Sequence, residues 1–266
     1  MFSQPTDSGP FSALRRVYGA ERAALLSDLQ ICVVGIGGVG SWAAESLART
    51  GVGNITLLDP DDIVSSNINR QVHALHSSVG ASKVDVMRQR ILDISPDCCC
   101  IAHEDMLVES NLERYITERF DYVIDAIDSI RFKAALINYC RRRKIRVITT
   151  GGAGGRVDPL AVTCADLSRT WNDALAAKVR SRLRANYGYT KNPRRRFSVE
   201  CIFSTEQPVY PTGEGGISKQ KPGVPGATLD CEAGYGSTCA VTAAFGLMAA
   251  AKAVNNSLDR RLRHDS

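Results

Sequence analysis

The chain has 266 residues, 44% of them apolar and 23% charged, with a formal net charge of +5. That length supports a large α/β domain with a sizeable core, and that composition excludes disorder of the whole chain. The mild positive excess permits a polyanionic partner without demanding one. Nine cysteines (Cys32, Cys98, Cys99, Cys100, Cys140, Cys164, Cys201, Cys231 and Cys239) form no Cys-x-x-Cys pair. Neither a zinc ribbon nor a disulfide framework is therefore expected. With the polar start Met1-Phe2-Ser3-Gln4-Pro5, a reducing cytoplasm is the expected home.

In chain order, residues 1–29 read as an N-terminal helical segment. Residues 30–165 then alternate short apolar strands at 31–34, 55–58, 122–125 and 147–149 with helical patterns at 39–49, 83–94, 111–119 and 132–143. Continuous apolar strands between helices predict a Rossmann-like α/β fold, a mostly parallel sheet with helices on both faces. The composition changes near Asp166. Residues 168–196 are polar and basic, and 205–230 are rich in Gly, Pro, Thr and Lys. The stretch 166–236 therefore reads as a basic, loop-rich, substrate-binding insertion in a single domain. A last helix at 237–254 returns to the core and runs into a basic tail. Residues 233–251 carry no charge but are built largely of Ala, Gly, Ser and Thr. They read as a buried helix rather than a membrane span, with peripheral membrane contact left to Arg260, Arg261 and Arg263.

The first strand runs into Gly35, Gly37, Gly38 and Gly40 and then into a helix. Glycines allow a tight turn and close backbone approach to phosphate, and the helix start adds oriented N–H donors. Nineteen residues after Gly40, Asp59 ends the next strand, where a carboxylate accepts from ribose hydroxyls. The pattern reads as an adenine-nucleotide site and leaves NAD and ATP open. The next segment, through Asp61, Asn67, Asn69, Arg70 and Gln71 to Lys83, favours ATP. A triphosphate and a departing pyrophosphate need cations, and Arg70 and Lys83 supply a fork of donors and a point charge. Asp125 and Asp128 end a strand beside the phosphates, and Asp128 is the candidate magnesium ligand.

As a set, residues 35–40, Asp59, Asn67-x-Asn69-Arg70-Gln71, Lys83 and the Asp125/Asp128 strand end resemble the ubiquitin-activating-enzyme superfamily. The resemblance implies ATP held by Gly35, Gly37, Gly38, Gly40, Asp59, Asp61, Asn67, Asn69, Arg70, Lys83, Asp125 and Asp128. It implies catalysis by Arg70, Lys83 and Asp128, with Mg2+ at Asp128. It also implies a homodimer in which Arg15, Arg16 or Arg22 reaches the partner's phosphates. The absent zinc knuckles depart from the sulfur-carrier activators of that superfamily. Segments 31–45, 122–129, 149–155 and 203–206 instead look like its tRNA threonylcarbamoyladenosine dehydratase branch. The implied reaction is ATP-dependent cyclisation of that nucleoside in tRNA, through an acyl-adenylate of its threonine carboxylate. Activation of the C-terminus of a ubiquitin-like or sulfur-carrier protein is the alternative.

Residues 169–196 bear Arg169, Lys178, Arg180, Arg182, Arg184, Lys191, Arg194, Arg195 and Arg196, with Asp173 the single acid. Such a segment suits RNA phosphates, and Arg180, Arg184, Arg194, Arg195 and Arg196 are the candidate tRNA contacts. Tyr187, Tyr189 and Phe197 are placed to stack on unpaired bases. A second run, Arg141-Arg142-Arg143-Lys144-x-Arg146, reads equally as an RNA contact or a solvated helix end. Cys231 reads as an ordinary cysteine or as a candidate sulfur-handling thiol, and a sulfur-transfer protein is a candidate partner. His73, His76, His103 and His264 show no ligand spacing.

Overall fold

The computed structural model describes residues 9–212, 215–220 and 236–264. Seven strands form the main sheet: β1 Gln30–Val34, β2 Asn54–Leu58, β3 Cys99–His103, β4 Tyr122–Asp125, β5 Val147–Thr150, β6 Val162–Asp166 and β7 Glu200–Ser204. Their spatial order is β3-β2-β1-β4-β5-β7-β6. Every pairing is parallel except that of β6 with β7. The helices are α1 Ser12–Tyr18, α2 Ala20–Ala24, α3 Gly40–Arg49, α4 Lys83–Ile94, α5 Leu112–Tyr115, α6 Ile130–Arg142, α7 Ala174–Asn186 and α8 Cys239–His264. The strand order reverses between β1 and β4. In an open parallel sheet the crevice outside the carboxyl ends of those two strands is where ligands sit.

Side-chain alternation along β1 divides the core in two. Ile31 and Val33 join Leu47, Met87 and Phe245 under α3, α4 and α8. Cys32 and Val34 join Leu136, Val179 and Phe203 under α6 and α7. Both faces are thereby covered, as the unbroken apolar strands require. The small-residue composition of α8 has a packing cause. A Cβ on Gly246 would lie 2.4 Å from the Val39 carbonyl oxygen and 2.8 Å from the Ala43 amide, so α8 meets the α3 backbone directly. Among the described residues no helix is long and apolar enough to cross a membrane.

Four elements differ from expectation. Of the run Cys98-Cys99-Cys100, the last two open an edge strand, β3, and Cys98 and Cys100 are buried as small apolar residues while Cys99 faces outward. The helix expected at 111–119 is only Leu112–Tyr115, because the chain extends at Ile116 to bury Ile116 and Phe120. The last helix runs ten residues beyond 254. Its polar end is held by Lys252 on Glu200 (2.7 Å) and Arg261 on Asp121 (2.6 Å). Finally, the stretch from 166 is no loop-rich insertion in its described part: it supplies α7 and β7 and completes the sheet.

Candidate functional site

Gly35, the residue after β1, has φ +86°, which favours glycine. A Cβ there would sit 2.9 Å from the Ala126 carbonyl, so the exit of β1 rests on the exit of β4. At Gly40 a Cβ would come within 1.7 Å of the Gly35 carbonyl oxygen, and the loop can close onto α3 only without one. Gly37 differs. The nearest atom to a Cβ there is Gln71 Nε2 at 4.0 Å, so its face is open. Gln71 is buried, and its Oε1 has no hydrogen-bond partner among the described residues. A buried unpartnered amide oxygen beside an open glycine face suits a ligand donor. The α3 N-terminus contributes amides without intrahelical partners and a partial positive charge.

Asp59 lies under this loop, 6% exposed. It accepts from the Ile36 amide at 2.6 Å and from the Asp61 amide at 2.9 Å. Burial pushes its carboxyl above the ordinary carboxylate range, against the Lys83 ammonium and those two amides. Lys83 opens α4 with a buried stem, 3.8 Å from Asp59 Oδ1 and 2.6 Å from Asp61 Oδ2. Asp61 is exposed, so of the two carboxylates beside Lys83 it is the one that water can replace when the ammonium turns to a phosphate. The Arg70 stem packs on Gly38, whose Cβ would lie 3.3 Å from Arg70 Cγ. Its guanidinium donates to the Ser66 carbonyl at 2.5 Å and to Asn69 Oδ1 at 3.1 Å. Trp42 Nε1 of α3 donates to the Arg70 carbonyl at 3.0 Å, and Thr242 Oγ1 of α8 does so at 3.4 Å. Asn69 Nδ2 ties the same turn to the Ser237 carbonyl at 2.8 Å.

Asn67 and Asp125, both expected to touch nucleotide, brace the site from within. Asn67 is buried, its Oδ1 accepts from the Val64 amide at 3.2 Å, and its carbonyl accepts from the Arg70 and Gln71 amides. Asp125 has no exposed surface. It accepts from Thr149 Oγ1 at 2.6 Å and the Ile127 amide at 3.1 Å, and Lys133 Nζ lies 3.0 Å away. Burial raises its carboxyl, opposed chiefly by Lys133. In this arrangement it cannot reach a ligand, and its work is to fix the β4 exit. Asp128 is the opposite case: exposed, with no partner among the described residues, and therefore free to hold a cation.

The basic residues lie elsewhere. The 187–199 segment leads into the start of β7, and Arg141–Arg146 lead into the start of β5. Both therefore border the amino edge of the sheet, opposite the glycine loop. There Asn138, Arg141, Arg142, Tyr187 and Tyr189 line a cleft of about 540 Å³. Arg194, Arg195 and Arg196 are exposed, their guanidinium groups without partners among the described residues. Arg180 instead donates to Thr170 Oγ1 and is half-buried; Arg184 lies 5.3 Å over the Phe197 ring. The aromatics do not wait for bases: Phe197 is buried and Tyr189 packs on it at 4.9 Å, while Tyr187 donates to Glu109 at 2.8 Å. The two sets of expected site residues thus occupy opposite edges of one sheet.

At the N-terminus, Phe11 and Leu14 pack near Gly51, beyond the far end of α3. A helix of ten residues, about 15 Å long, separates them from their own glycine loop. Arg22 is paired with Asp259 at 2.7 Å. Cys231 lies outside the described residues. Sequence reading passed over Gln71, Lys133, Trp42 and Thr242 as site residues. Lys133 did leave a signal, a cation inside the apolar run of α6.

The ThiF family model matches residues 12–262. The tRNA threonylcarbamoyladenosine dehydratase of Escherichia coli (strain K12) is 47% identical over 254 residues, 95% of each chain. A solved structure named TcdA (CsdL) superposes with a TM-score of 0.88 at 46% identity, covering 96% of both chains. The E. coli tRNA N6-threonylcarbamoyladenosine dehydratase in complex with ATP does so with a TM-score of 0.85 at 45% identity and the same coverage.

Proposed function

This chain belongs to the ThiF family, and we propose that it uses ATP to dehydrate threonylcarbamoyladenosine in tRNA to the cyclic form. The observation that carries the reading is the placing of two cations against the glycine loop and its bracing carboxylate, Arg70 on Gly38 and Lys83 on Asp59. Arg70 lies along Gly38, and Lys83 lies against the carboxylate that holds Ile36. The likeness over 95% of both chains to a dehydratase of that name supports the same reading.

The nucleoside carries a free carboxylate, and hydroxide is a poor leaving group. The carboxylate oxygen attacks the α-phosphorus of ATP, the α–β bridging bond breaks, and pyrophosphate departs. A nitrogen or oxygen of the substrate's carbamoyl group then attacks the activated carbonyl and AMP leaves. The oxygen lost from the carboxylate ends on AMP, and the second step is intramolecular, so positioning supplies much of its rate. In this scheme the glycine loop and the α3 amides hold phosphate, and Asp59 accepts from ribose. Lys83 and Arg70 meet the charge that grows on the leaving pyrophosphate. Asp128 would hold a magnesium ion, which when bound offsets phosphate charge and orients the oxygens. No enzyme nucleophile is required.

The amino-edge arginines lie one strand length along the sheet and three strand spacings across it from the loop, roughly 20 Å or more. They meet phosphates of the tRNA body rather than the modified base. Arg194, Arg195 and Arg196 carry that contact, and Arg180 and Arg184 support the surface from below. An N-terminal arginine serves a nucleotide only across a homodimer. A cytoplasmic site of action goes with a tRNA substrate.

The test is pyrophosphate exchange. Wild-type protein should move label from pyrophosphate into ATP only when modified tRNA is present, and Lys83→Met should lose about 100-fold or more of that rate. Exchange that ignores tRNA and needs a carrier protein would overturn the reading.

A further inference from the structure

β5 lies beside β4 in the sheet and leaves it at the same carboxyl edge. Its exit is the loop 151–155, Gly-Gly-Ala-Gly-Gly, followed by Arg156. Two strand spacings, about 10 Å, separate this exit from that of β1. The phosphate cradle is thus on one side of the crevice and this loop on the other.

Arg156 is 4% exposed. Its Nη1 donates to the carbonyls of Gly152 and Gly154, and its Nη2 donates to the Asn172 carbonyl at 2.7 Å and lies 3.8 Å from Asp173 Oδ2. Asp173, itself 4% exposed, also accepts from the Gly152 amide at 3.0 Å and the Ala176 amide at 2.8 Å. A Cβ on Gly151 would fall 1.9 Å from Asp173 Oδ2. The buried pair therefore grips the loop from beneath, and the glycine is what lets it do so.

That grip has a consequence for the amides. In a trans peptide the C=O and the following N–H point in opposite directions. Drawing the Gly154 carbonyl onto Arg156 turns the Gly155 N–H the other way, and it donates to the Gly236 carbonyl at 2.7 Å. Drawing the Gly152 carbonyl onto Arg156 likewise turns the Ala153 N–H away from the guanidinium. Ala153 is half-exposed, and neither its N–H nor that of Gly154 has a partner among the described residues. Two successive unpartnered donors over a buried guanidinium favour an anionic oxygen.

We infer that this loop seats the carboxylate of the substrate, with Arg156 as the positioning residue that turns the loop amides toward it. The inference rests on the proposed dehydration reading. A phosphate would satisfy the same donors, but the glycine loop already serves phosphate, and the attacking carboxylate must approach the α-phosphorus from beside it.

The test uses full-length protein and an anticodon stem-loop bearing threonylcarbamoyladenosine, either with its free carboxylate or as the neutral methyl ester. Wild type should bind the free acid about 10- to 150-fold more tightly than the ester, the range of a hydrogen bond to a charged group. Ala153→Pro removes one N–H without touching Arg156, and should bring that ratio close to one while ATP affinity stays within about twofold. Arg156→Lys keeps the charge but loses the fork, and should reduce the ratio likewise. If it fails to fold, Ala153→Pro still decides. An unchanged ratio in a folded Ala153→Pro protein overturns the inference. A loss of ATP affinity of equal size assigns the donors to phosphate and also overturns it. Wild-type turnover of the free acid is measured alongside: its absence sinks the dehydration reading and this inference together, whereas turnover with an unchanged ratio sinks the inference alone.

Discussion

Replacing Gly37 with alanine should separate binding from folding. Its Cβ would meet nothing nearer than Gln71 Nε2 at 4.0 Å, and Gly37 is not among the glycines with positive φ. The folded loop can therefore accept the methyl group unmoved, and the stiffer unfolded chain should raise stability by about 0.4–1 kcal/mol. The same methyl group occupies the face where phosphate must meet the backbone. Loss of one hydrogen bond to a charged group costs about 1.5–3 kcal/mol, roughly a 10- to 150-fold weaker Kd for ATP. Gly40→Ala is the contrasting control. Its Cβ would lie 1.7 Å from the Gly35 carbonyl oxygen, so stability and ATP binding should fall together. Titration calorimetry with ATP and urea denaturation measure the two quantities on each variant. A Gly37→Ala protein that folds normally and binds ATP within twofold of wild type would refute the placement of phosphate on this loop.

Three further outcomes follow from the same structure. Lys133→Met leaves Asp125 buried without its cation, and urea denaturation should record a loss of about 3–5 kcal/mol; a loss below 1 kcal/mol would mean the pair does not hold the β4 exit. Burial, with Lys83 and Arg90 nearby, pushes His73 from 6.5 down to about 4, so the unfolded chain takes the proton first as pH falls. Stability from this group is complete above pH 6.5 and is lost between 6.5 and 4, about 3 kcal/mol in all; His73→Leu should remove that slope, and a variant with the same acid sensitivity would contradict it. Changing Arg194, Arg195 and Arg196 together to Ser should lower the salt slope of tRNA binding by about 2 and leave the ATP Kd alone, whereas an unchanged slope would return them to solvated surface.

The nucleotide half of the site was legible because its residues obey local rules. Gly35 is fixed by a turn of positive φ, and Gly40 by a backbone approach that leaves a Cβ only 1.7 Å from the Gly35 carbonyl oxygen. Asp59 ends an apolar strand, and Lys83 begins a helix. The continuous apolar runs of β1, β2, β4 and β5 likewise made the parallel sheet readable. The rest depends on contacts remote in sequence. Nothing within Asp125 tells that Lys133 and Thr149 saturate it, and Asp128, three residues on, looks the same in sequence yet remains free. The 169–196 cations cluster in composition, but whether they face the chemistry depends on which end of β7 they precede. That follows from its pairing with β5. Tyr189 and Phe197 sit among arginines and nevertheless face the core, because Phe197 joins Val179 and Leu183 of α7 in one apolar cluster and Tyr189 packs against it. Gln71 was within a recognised motif, but its significance lies in an absent partner, which only the folded arrangement reveals.

The central claim is tested most directly by weighing the product. Wild-type protein is incubated with ATP, magnesium and tRNA bearing threonylcarbamoyladenosine, the tRNA is digested, and the modified nucleoside is measured by mass spectrometry. The expected product is a nucleoside lighter by one water, with one AMP and one pyrophosphate released per conversion, and none of these from Lys83→Met. A nucleoside of unchanged mass, with AMP released only when a carrier protein's C-terminus is supplied, would contradict it.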